Sequence, residues 1–335
     1  MIETEQIRQA SLKSRANSGA ISIASVTVVY NGGSVLRKHL DGLKSQNRQL
    51  DDMIVVDNAS SDDTLEILAN EYPEVTVLKL SSNSGVGGAL AAGLAHAAFE
   101  KQYDWVWLFD QDSVPAPDCL DKLLGGLQSM NGKQAGVGIL APICADAATG
   151  VPSLGLEWRG AKLQPVHSDP ESLISLVDSV ISSGSLIRRE ALNAAGLPRT
   201  DFFMDFVDHE HCLRLRRHGF EIAIVRDSRL QHALGEPSRI EIAGCSKYWS
   251  DHAPWREYYM TRNEIFTMWH HYPRAAVKLH ALLRMARHGL EILLFGKEKL
   301  ACLRMMCRGF VDGRAGRLGI RSFAEAGRNV TEASE

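Results

Sequence analysis

The chain lacks the features that mark disulfide-rich, secreted and membrane-spanning proteins. Its six cysteines (119, 144, 212, 245, 302 and 307) are scattered and include no C-x-x-C pair, which is typical of reduced thiols in a cytosolic protein. No apolar run approaches the roughly 20 residues that cross a bilayer. Residues 1–20 have no apolar centre and do not resemble a signal peptide. We therefore expect a cytoplasmic protein without a transmembrane helix.

Opposite charges are present in similar numbers, but they are unevenly distributed. The 335 residues carry a net charge of −3 and include 45% hydrophobic and 23% charged residues, the composition of an ordinary globular protein. Residues 255–322, however, contain 13 Lys or Arg and only five acidic residues. This basic region predicts an anionic partner. We expect that partner to be a membrane surface at the inner face of the cell membrane, and we expect no nucleic-acid partner.

The first third of the chain alternates strand-like and helix-like segments. Four apolar, β-rich stretches are separated by segments with helical spacing, and this rhythm predicts a parallel sheet built from βαβ units. The predicted strands are 21–30, 53–56, 75–80 and 105–109. Polar or glycine-containing loops follow each strand, and open α/β sheets bind ligands at the carboxyl ends of their strands. We therefore expect one crevice to be lined by Tyr30, Asn31, Asp57, Asn83, Gly85, Asp110 and Asp112.

Asp110 and Asp112 end the fourth of these strands. In extended chain, residues i and i+2 point the same way, so both carboxylates face one point. Two adjacent carboxylates repel each other unless a cation lies between them, and hard oxygen ligands favour Mg²⁺ or Mn²⁺. The alternative is that both residues are solvated turn residues or cap the helix after Pro117.

The glycine turn that begins at Gly85 allows a second interpretation. Gly85-Val-Gly87-Gly88 is similar to a dinucleotide-binding turn. That fingerprint belongs on the first βα unit, with an acidic residue after the next strand to hold a ribose. Here the turn lies on the third unit and the next acidic residues form a pair suited to a metal. A nicotinamide cofactor is therefore the weaker interpretation.

A second acidic turn lies far along the chain. Asp205, Asp208 and Glu210 follow an apolar patch and precede a helix that ends in basic residues and Gly219. Together with the polar loops upstream, this turn is a candidate for a catalytic carboxylate base. By itself the pattern also fits an exposed helix start with capping acids.

Several motifs together carry a family resemblance that covers roughly residues 24–320. They are Val26–Asn31, Val55-Val-Asp57-Asn-Ala-Ser, Asn83-Ser-Gly85-Val-Gly-Gly, Leu108-Phe-Asp110-Gln-Asp112, Ile181–Arg188, Phe202–Arg214 and His252–Asn263. In order and spacing they resemble family-2 glycosyltransferases of the rhamnosyltransferase branch, which have the GT-A fold. Residues 297–313 resemble the branch that adds the second rhamnose to rhamnolipids.

The resemblance implies a fold, a reaction and residue roles. The fold would be an α/β GT-A fold with a mixed, mostly parallel sheet flanked by helices and a C-terminal helical extension. The reaction would be inverting transfer of L-rhamnose from dTDP-L-rhamnose, with Mg²⁺ or Mn²⁺, onto a glycolipid or cell-surface glycan. Tyr30, Asn31, Asp57, Asn83, Gly85 and Asp110 would bind the nucleotide, Asp110 and Asp112 the metal, and Gly184 and Asp205 the acceptor.

The same resemblance assigns the catalytic groups. Asp208 would be the base and Glu210 its supporting acid. The family usually has a second asparagine where this chain has Ala91, which leaves the grip on the ribose or sugar in doubt. A nucleotidyltransferase and a non-catalytic sugar-nucleotide-binding protein remain alternatives from other classes.

Two further residues are candidates with competing structural roles. His232 follows a strand-like segment at the place where some relatives have a metal ligand, but a lone histidine is more often structural. Arg262 opens a polar, aromatic helix and is expected to close over the diphosphate, because arginine forks suit phosphate. In the same helix we expect Trp255 and Tyr259 to pack on the core.

The expected organisation has four parts. Residues 1–20 form a flexible segment, 21–240 the catalytic domain (donor half 21–115, acceptor half 116–240), 241–322 a basic helical region and 323–335 a tail. Residues 274–310 mix apolar and basic residues and suit amphipathic helices that meet anionic lipid headgroups. Packing of these helices on the catalytic domain, or on a second subunit in a homodimer, is the alternative.

Overall fold

The computed structural model describes residues 21–130, 132–146, 152–166, 172–232, 238–242, 245–325 and 328–329. Within these ranges the strands and helices alternate along the donor half and segregate towards the C-terminus. The strands are β1 Ile23–Val29, β2 Asp52–Asp57, β3 Thr76–Lys79, β4 Trp105–Asp110, β5 Val114–Pro115, β6 Val137–Asp146, β7 Pro152–Ser153, β8 Leu156–Arg159, β9 Lys162–Pro165, β10 Ile174–Val177, β11 Leu186–Arg188, β12 Glu221–His232, β13 Ser238–Ile242, β14 Cys245–Trp249, β15 Ala324–Glu325 and β16 Arg328–Asn329.

Nine α-helices lie in the described part of the chain. They are α1 Leu36–Lys44, α2 Thr64–Glu71, α3 Gly85–Leu94, α4 Cys119–Ser129, α5 Arg189–Ala195, α6 Val207–Arg217, α7 Pro254–His271, α8 Ala275–Phe295 and α9 Lys299–Arg314. A π-helical turn, Ala95–Glu100, continues α3. The glycine turn at 85–88 therefore forms the first turn of a helix.

One large mixed sheet organises the molecule. Its strand order is β10-β12-β6-β11-β4-β1-β2-β3, with β5 on β12 and β7 on β6. The pairs β1–β2, β1–β4, β2–β3 and β6–β12 are parallel, whereas β11 runs antiparallel to both β4 and β6. The carboxyl ends of β1, β2, β3 and β4 therefore share one edge. This architecture confirms the predicted mixed, mostly parallel sheet.

Helices cover both faces of the sheet and bury two apolar cores. On one face, the small residues of α3 let the helix approach closely: a Cβ built on Gly93 would lie 2.4 Å from a methyl of Val26. On the other face, Trp107 and Phe109 of β4 pack edge to face with ring centroids 4.6 Å apart, beside α1 and α4. Because β4 is buried on both faces, its end is held rigidly in place.

The three C-terminal helices pack on one another and against α6, β8 and β9. α9 packs on α7 through two glycines: a Cβ on Gly309 would lie 2.5 Å from the carbonyl oxygen of Tyr258, and one on Gly313 would lie 2.4 Å from that of Arg262. No helix in the described residues combines the length and apolarity that crossing a bilayer requires. The predicted C-terminal helical extension is therefore present.

Candidate functional site

A crevice of about 530 Å³ opens at the carboxyl edge of the parallel strands. It contains seven of the residues expected there from the sequence: Tyr30, Asn31, Asn83, Gly85, Asp110, Asp112 and His232. Tyr30 and Asn31 follow β1, Asn83 and Gly85 follow β3, and Asp110 ends β4. These residues from four separated stretches thus meet at the edge where the parallel strands end.

The acidic pair and His232 form the floor of the crevice. The imidazole Nε2 of His232 lies 3.7 Å from Asp110 Oδ2, and its Nδ1 lies 3.0 Å from Asp112 Oδ1. His232 Nδ1 is also 2.7 Å from the hydroxyl of Ser113, which in turn lies 2.5 Å from the hydroxyl of Ser183. β12 carries His232 to this floor beside β6, so a residue more than 100 positions away in sequence joins the two aspartates.

The electrostatics of this floor favour a bound cation. Burial raises the pKa of Asp110 to about 6, and the charges of Asp112 and Asp208 raise it further, whereas His232 opposes the shift. Asp112 Oδ1 is buried and accepts no hydrogen bond from the described residues. A crowded set of carboxylates with an unsatisfied buried oxygen is stabilised by positive charge.

The donor set fits a hard divalent ion that is shared with a ligand. No three His, Cys, Asp or Glu side chains in the described ranges form a complete metal cage. Mg²⁺ in nucleotide sites, however, is usually held by one or two carboxylates together with substrate phosphates. Asp110, Asp112 and His232 supply such a partial set.

One side of the crevice is lined by amides in a hydrogen-bonded network. Asn58 donates to Asn83 Oδ1 at 3.0 Å and accepts from the backbone N–H of Ser84 at 2.8 Å. Gln111 Oε1 accepts from the backbone N–H of Tyr30 at 2.8 Å. Asn58 and Gln111 line the crevice but were not expected there, although each directly follows an expected aspartate in the sequence.

Asp57 lies beside this wall and does not line it. Its side chain is only 2% exposed, and its carboxylate accepts a 3.3 Å hydrogen bond from the backbone N–H of Ser60. Asp57 therefore stabilises the turn that positions its neighbour Asn58.

A strained loop closes another side of the crevice. Phe203, Asp205 and Phe206 all have positive φ angles of 55° to 66°. The carbonyl oxygen of Phe203 accepts from Gly87 N–H at 3.1 Å, and a Cβ on Gly85 would lie 2.1 Å from the same oxygen. Only glycine fits at position 85, which also has φ +71°. The loop is therefore locked against the start of α3.

Asp208 lies at the first turn of α6, immediately after this loop. Its side chain is 22% exposed, and its Oδ1 lies 2.7 Å from its neighbour's backbone N–H. Its charge acts on Asp110, so the two carboxyls belong to one electrostatic cluster. Asp208 itself is not among the residues that line the crevice.

Asp205 and Gly184 occupy supporting positions. Asp205 forms a two-pronged ion pair with Arg256, with both N–O distances at 3.1 Å. Gly184 has φ +80°, and its carbonyl oxygen accepts from the indole of Trp107 at 2.8 Å. A Cβ on Gly184 would lie 2.7 Å from Leu230, so this glycine fixes the packing behind the crevice and is not part of its lining.

Glu210 does not stand beside Asp208, which corrects the expectation from the sequence. It is fully buried and forms ion pairs with Arg214 at 3.0 Å and His271 at 3.3 Å. Burial alone would raise its pKa, but hydrogen bonds from His271 and Arg214 outweigh that effect and hold the pKa at about 2. Glu210 therefore stays ionised, and its ion pair with His271 links α6 to the end of α7.

Arg262 does not reach the crevice, which is a second correction. Its guanidinium is 0% exposed and donates to the carbonyl oxygens of Asp201 and Phe202 at 2.9 Å each, and also to that of Gly319. Its guanidinium carbon lies 5.4 and 4.7 Å from the ring centroids of Tyr258 and Tyr259. Arg262 is thus buried in a structural network and does not face the crevice.

Two residues of α7 do line the crevice, nearly two turns before Arg262. They are Trp255 and Arg256. Trp255 packs against the buried Tyr259, as expected, and also lines the crevice, whereas Tyr259 is fully buried. The sequence pointed to the correct segment, but the helical phase decided which of its residues face the cavity.

Comparisons with known proteins agree with this architecture. The staphylococcal structure described as S. aureus TarS 1-349 superposes with a TM-score of 0.56 at 14% identity, covering 89% of this chain and 82% of that one. A structure of GalNAc-T7 with UDP, GalNAc and Mn²⁺ superposes with a TM-score of 0.58 at 15% identity, covering 88% and 56%. At these identities the likeness establishes the fold. The fold is that of the GT-A class.

Sequence comparison narrows that class to a family. The profile of the family described as Glycosyl transferase family 2 matches residues 25–193, and the chain belongs to that family. It is 25% identical over 298 residues to the dTDP-rhamnosyl transferase RfbF of Shigella flexneri, covering 89% of this chain and 97% of that protein. It is also 26% identical over 216 residues to the galactofuranosyltransferase GlfT1 of Mycolicibacterium smegmatis, covering 64% and 71%.

Proposed function

We propose that the chain transfers L-rhamnose from dTDP-L-rhamnose, with inversion and a divalent cation, onto a hydroxyl of a glycolipid or cell-surface glycan. The donor sugar is supported by the similarity to a dTDP-rhamnosyl transferase along nearly all of that protein. The reaction type is supported most by one observation. Asp110, Asp112 and His232 converge in the same crevice as the amide-lined nucleoside wall, and Asp208 lies within electrostatic reach.

The cation would be held by Asp110 and Asp112, with His232 beside them. Mg²⁺ or Mn²⁺ bound there would neutralise the charge that develops on the departing diphosphate. Arg256 places a second positive charge on the same crevice, in contact with Asp205. Asn31, Asn58 and Asn83 offer amide donors and acceptors to the base and ribose, and Tyr30 offers an aromatic surface.

Asp208 would accept the proton of the acceptor hydroxyl. In an inverting transfer, the acceptor oxygen forms its bond to the anomeric carbon while the bond to the diphosphate oxygen breaks. The diphosphate leaves with the bonding electron pair, and the proton passes to the Asp208 carboxylate. This scheme needs no covalent nucleophile, and the partial exposure of Asp208 is consistent with access from the acceptor side.

We also propose that α8 and α9 contact an anionic membrane surface on the cytoplasmic side. α8 exposes Leu279, Leu283, Leu290, Leu293 and Leu294, each more than 45% accessible, and α9 exposes Leu300 and Val311. Basic side chains surround them in residues 274–321. Exposed leucines between basic residues are typical of helices that lie in a lipid headgroup layer.

One assay tests the donor and the reaction class together. The purified protein is incubated separately with dTDP-L-rhamnose, UDP-glucose and nucleoside triphosphates, each with Mn²⁺, Mg²⁺ or a chelator, and the released products are separated by chromatography. We expect dTDP release from dTDP-rhamnose, dependent on the cation. Pyrophosphate release from a triphosphate would identify a nucleotidyltransferase, and binding without any release would identify a non-catalytic sugar-nucleotide-binding protein.

A further inference from the structure

A row of buried polar side chains connects the centre of the sheet with the floor of the crevice. Its members are Thr27 of β1, His39 of α1, Ser113 after β4 and His232 of β12. All four side chains are buried. Burying polar groups costs free energy unless they are hydrogen-bonded, and a satisfied buried network fixes the positions of its members.

The two partners of His39 determine which of its ring nitrogens carries the hydrogen. Its Nδ1 lies 2.5 Å from the carbonyl oxygen of Ser113, which can only accept a hydrogen bond, so Nδ1 is the donor. Burial lowers the pKa of His39 to about 4, so the ring is neutral at pH 7. Its Nε2 therefore accepts from the hydroxyl of Thr27, 2.8 Å away. His39 is thus a fixed donor to the backbone of Ser113.

The hydroxyl of Ser113 makes the next contacts of the row. It lies 2.7 Å from Nδ1 of His232 and 2.5 Å from the hydroxyl of Ser183. Ser183 is also buried, and its hydroxyl accepts a hydrogen bond from the backbone N–H of Asp110 at 3.3 Å. The two serine hydroxyls therefore contact both the imidazole on the crevice floor and the end of the strand that carries Asp110.

These contacts fix the orientation of the His232 ring relative to the acidic pair. With Nδ1 at Ser113, the opposite nitrogen Nε2 lies 3.7 Å from Oδ2 of Asp110. Asp112 directly precedes Ser113 in the chain, so a shift of the Ser113 backbone would also move that carboxylate. By holding the Ser113 carbonyl group, His39 thus affects the relative positions of all three candidate cation ligands.

We propose that His39, Ser113 and Ser183 are positioning residues for the cation site. They hold the His232 ring and the end of β4 in the arrangement that binds a divalent cation. The inference rests on the proposed function, because that function places the cation beside these groups. A histidine that binds a metal through one ring nitrogen usually donates its other N–H to a fixed acceptor, and Ser113 Oγ is such an acceptor. The three residues do not line the crevice and act without touching the donor.

Titration of the full chain with Mn²⁺ in the presence of dTDP, followed by electron paramagnetic resonance of the free ion, tests the proposal. Ser113→Ala should weaken Mn²⁺ binding by about tenfold or more, the usual effect of removing a hydrogen-bond partner of a metal ligand. Ser228→Ala is the matched control, because Ser228 is equally buried on the strand of His232 and donates to the carbonyl oxygen of Cys119 at 3.0 Å. This control should keep its Mn²⁺ affinity within about twofold. Equal Mn²⁺ affinity in the two variants would overturn the proposal.

Two substitutions of His39 separate positioning from packing. His39→Asn keeps an amide donor near the place of Nδ1, whereas His39→Gln keeps a polar group near the place of Nε2 and loses the donor to Ser113. Both remove a ring that packs edge to face on Phe109 with centroids 5.2 Å apart, so both should lower the free energy of unfolding. Mn²⁺ binding should stay within about threefold of the unmodified chain in His39→Asn and weaken by about tenfold or more in His39→Gln. The same loss of Mn²⁺ affinity in both would indicate packing alone and overturn the role of His39.

Release of dTDP from dTDP-L-rhamnose, measured on the same preparations, distinguishes this inference from the proposed function. Mn²⁺ binding that weakens in Ser113→Ala but not in Ser228→Ala, without any release of dTDP, would support the positioning role and overturn the proposed transfer. Cation-dependent release of dTDP with equal Mn²⁺ affinity in the two variants would do the reverse. An unmodified chain that binds no Mn²⁺, with or without dTDP, would overturn both the proposed cation and this inference.

Discussion

Replacing Asp110 with asparagine should stabilise the metal-free protein and abolish its response to Mn²⁺. The carboxyl of Asp110 lies on the crevice floor with Asp112 and Asp208 nearby, and these surroundings disfavour its charged form. Asparagine keeps the shape of the side chain and removes the charge. A residue that weakens the fold by its charge is best explained by a ligand that needs that charge.

The size of the effect follows from the raised pKa. A change from 3.8 to about 6 corresponds to about 3 kcal/mol of unfavourable free energy for the ionised folded state. Because 36% of the side chain is exposed, water screens the charge, and we expect about 1 kcal/mol. The effect is fully present above about pH 6, where Asp110 is ionised in both states. It shrinks as the folded protein takes up a proton and disappears below about pH 4.

Urea denaturation at pH 7.5 with a chelator, compared with the same titration at pH 4, measures this free energy of unfolding. Asp118→Asn is the matched control, because its exposed carboxylate pairs with Lys122 at 2.8 Å and that partner lowers its pKa. We expect Asp110→Asn to be more stable at pH 7.5 only, and excess Mn²⁺ with dTDP to raise the stability of the unmodified chain but not of the variant. A destabilised Asp110→Asn, or one that still responds to Mn²⁺, would refute the reasoning.

The remaining predictions concern the base, the arginines and the membrane. Asp208→Asn should lower transfer at least about a thousandfold while dTDP binding stays near normal; retained turnover would remove it from the role. Arg262→Met should lower the free energy of unfolding by about 3 kcal/mol or more, because buried carbonyl groups lose their donor. Arg256→Met should change the free energy of unfolding by no more than about 1 kcal/mol and should weaken dTDP binding instead. Lys297→Glu with Arg304→Glu should reduce flotation with anionic vesicles but not affect neutral ones; unchanged flotation would contradict membrane contact.

The donor half of the fold is readable from the sequence because its signals are local. β1, β2 and β4 are short apolar runs, each followed by a polar or glycine turn, and every helix between them shows helical spacing. Parallel order then places their ends at one edge, whatever the details of packing. The convergence of Tyr30, Asn31 and Asp110 could therefore be predicted from the strand pattern alone.

The acceptor half is less readable because helical phase and distant contacts decide it. Glu210 lies two residues after Asp208, and on a helix that spacing turns the side chain roughly 200° away. The guanidinium of Arg262 donates hydrogen bonds to carbonyl oxygens about 60 positions earlier in the chain, in a segment whose sequence has no regular pattern. His232 is an intermediate case. Its position after a strand could be predicted from the sequence, but its approach to Asp112 depends on the pairing of β12 with β6.

The glycine contacts between α9 and α7 bear on how enzymes of this family can be recombined. The family profile ends at residue 193, yet the loop at 201–205 is held by Arg262 and Asn263, and α7 is held by a helix that ends at Arg314. A chimera that exchanges only the residues matched by the family profile keeps the helices that hold the loop at 201–205. A cut within 254–314 instead separates α7 from α9, whose backbones meet at glycines without any side chain between them. Crossover points for domain shuffling therefore belong before residue 199 or after residue 319, and nowhere in between.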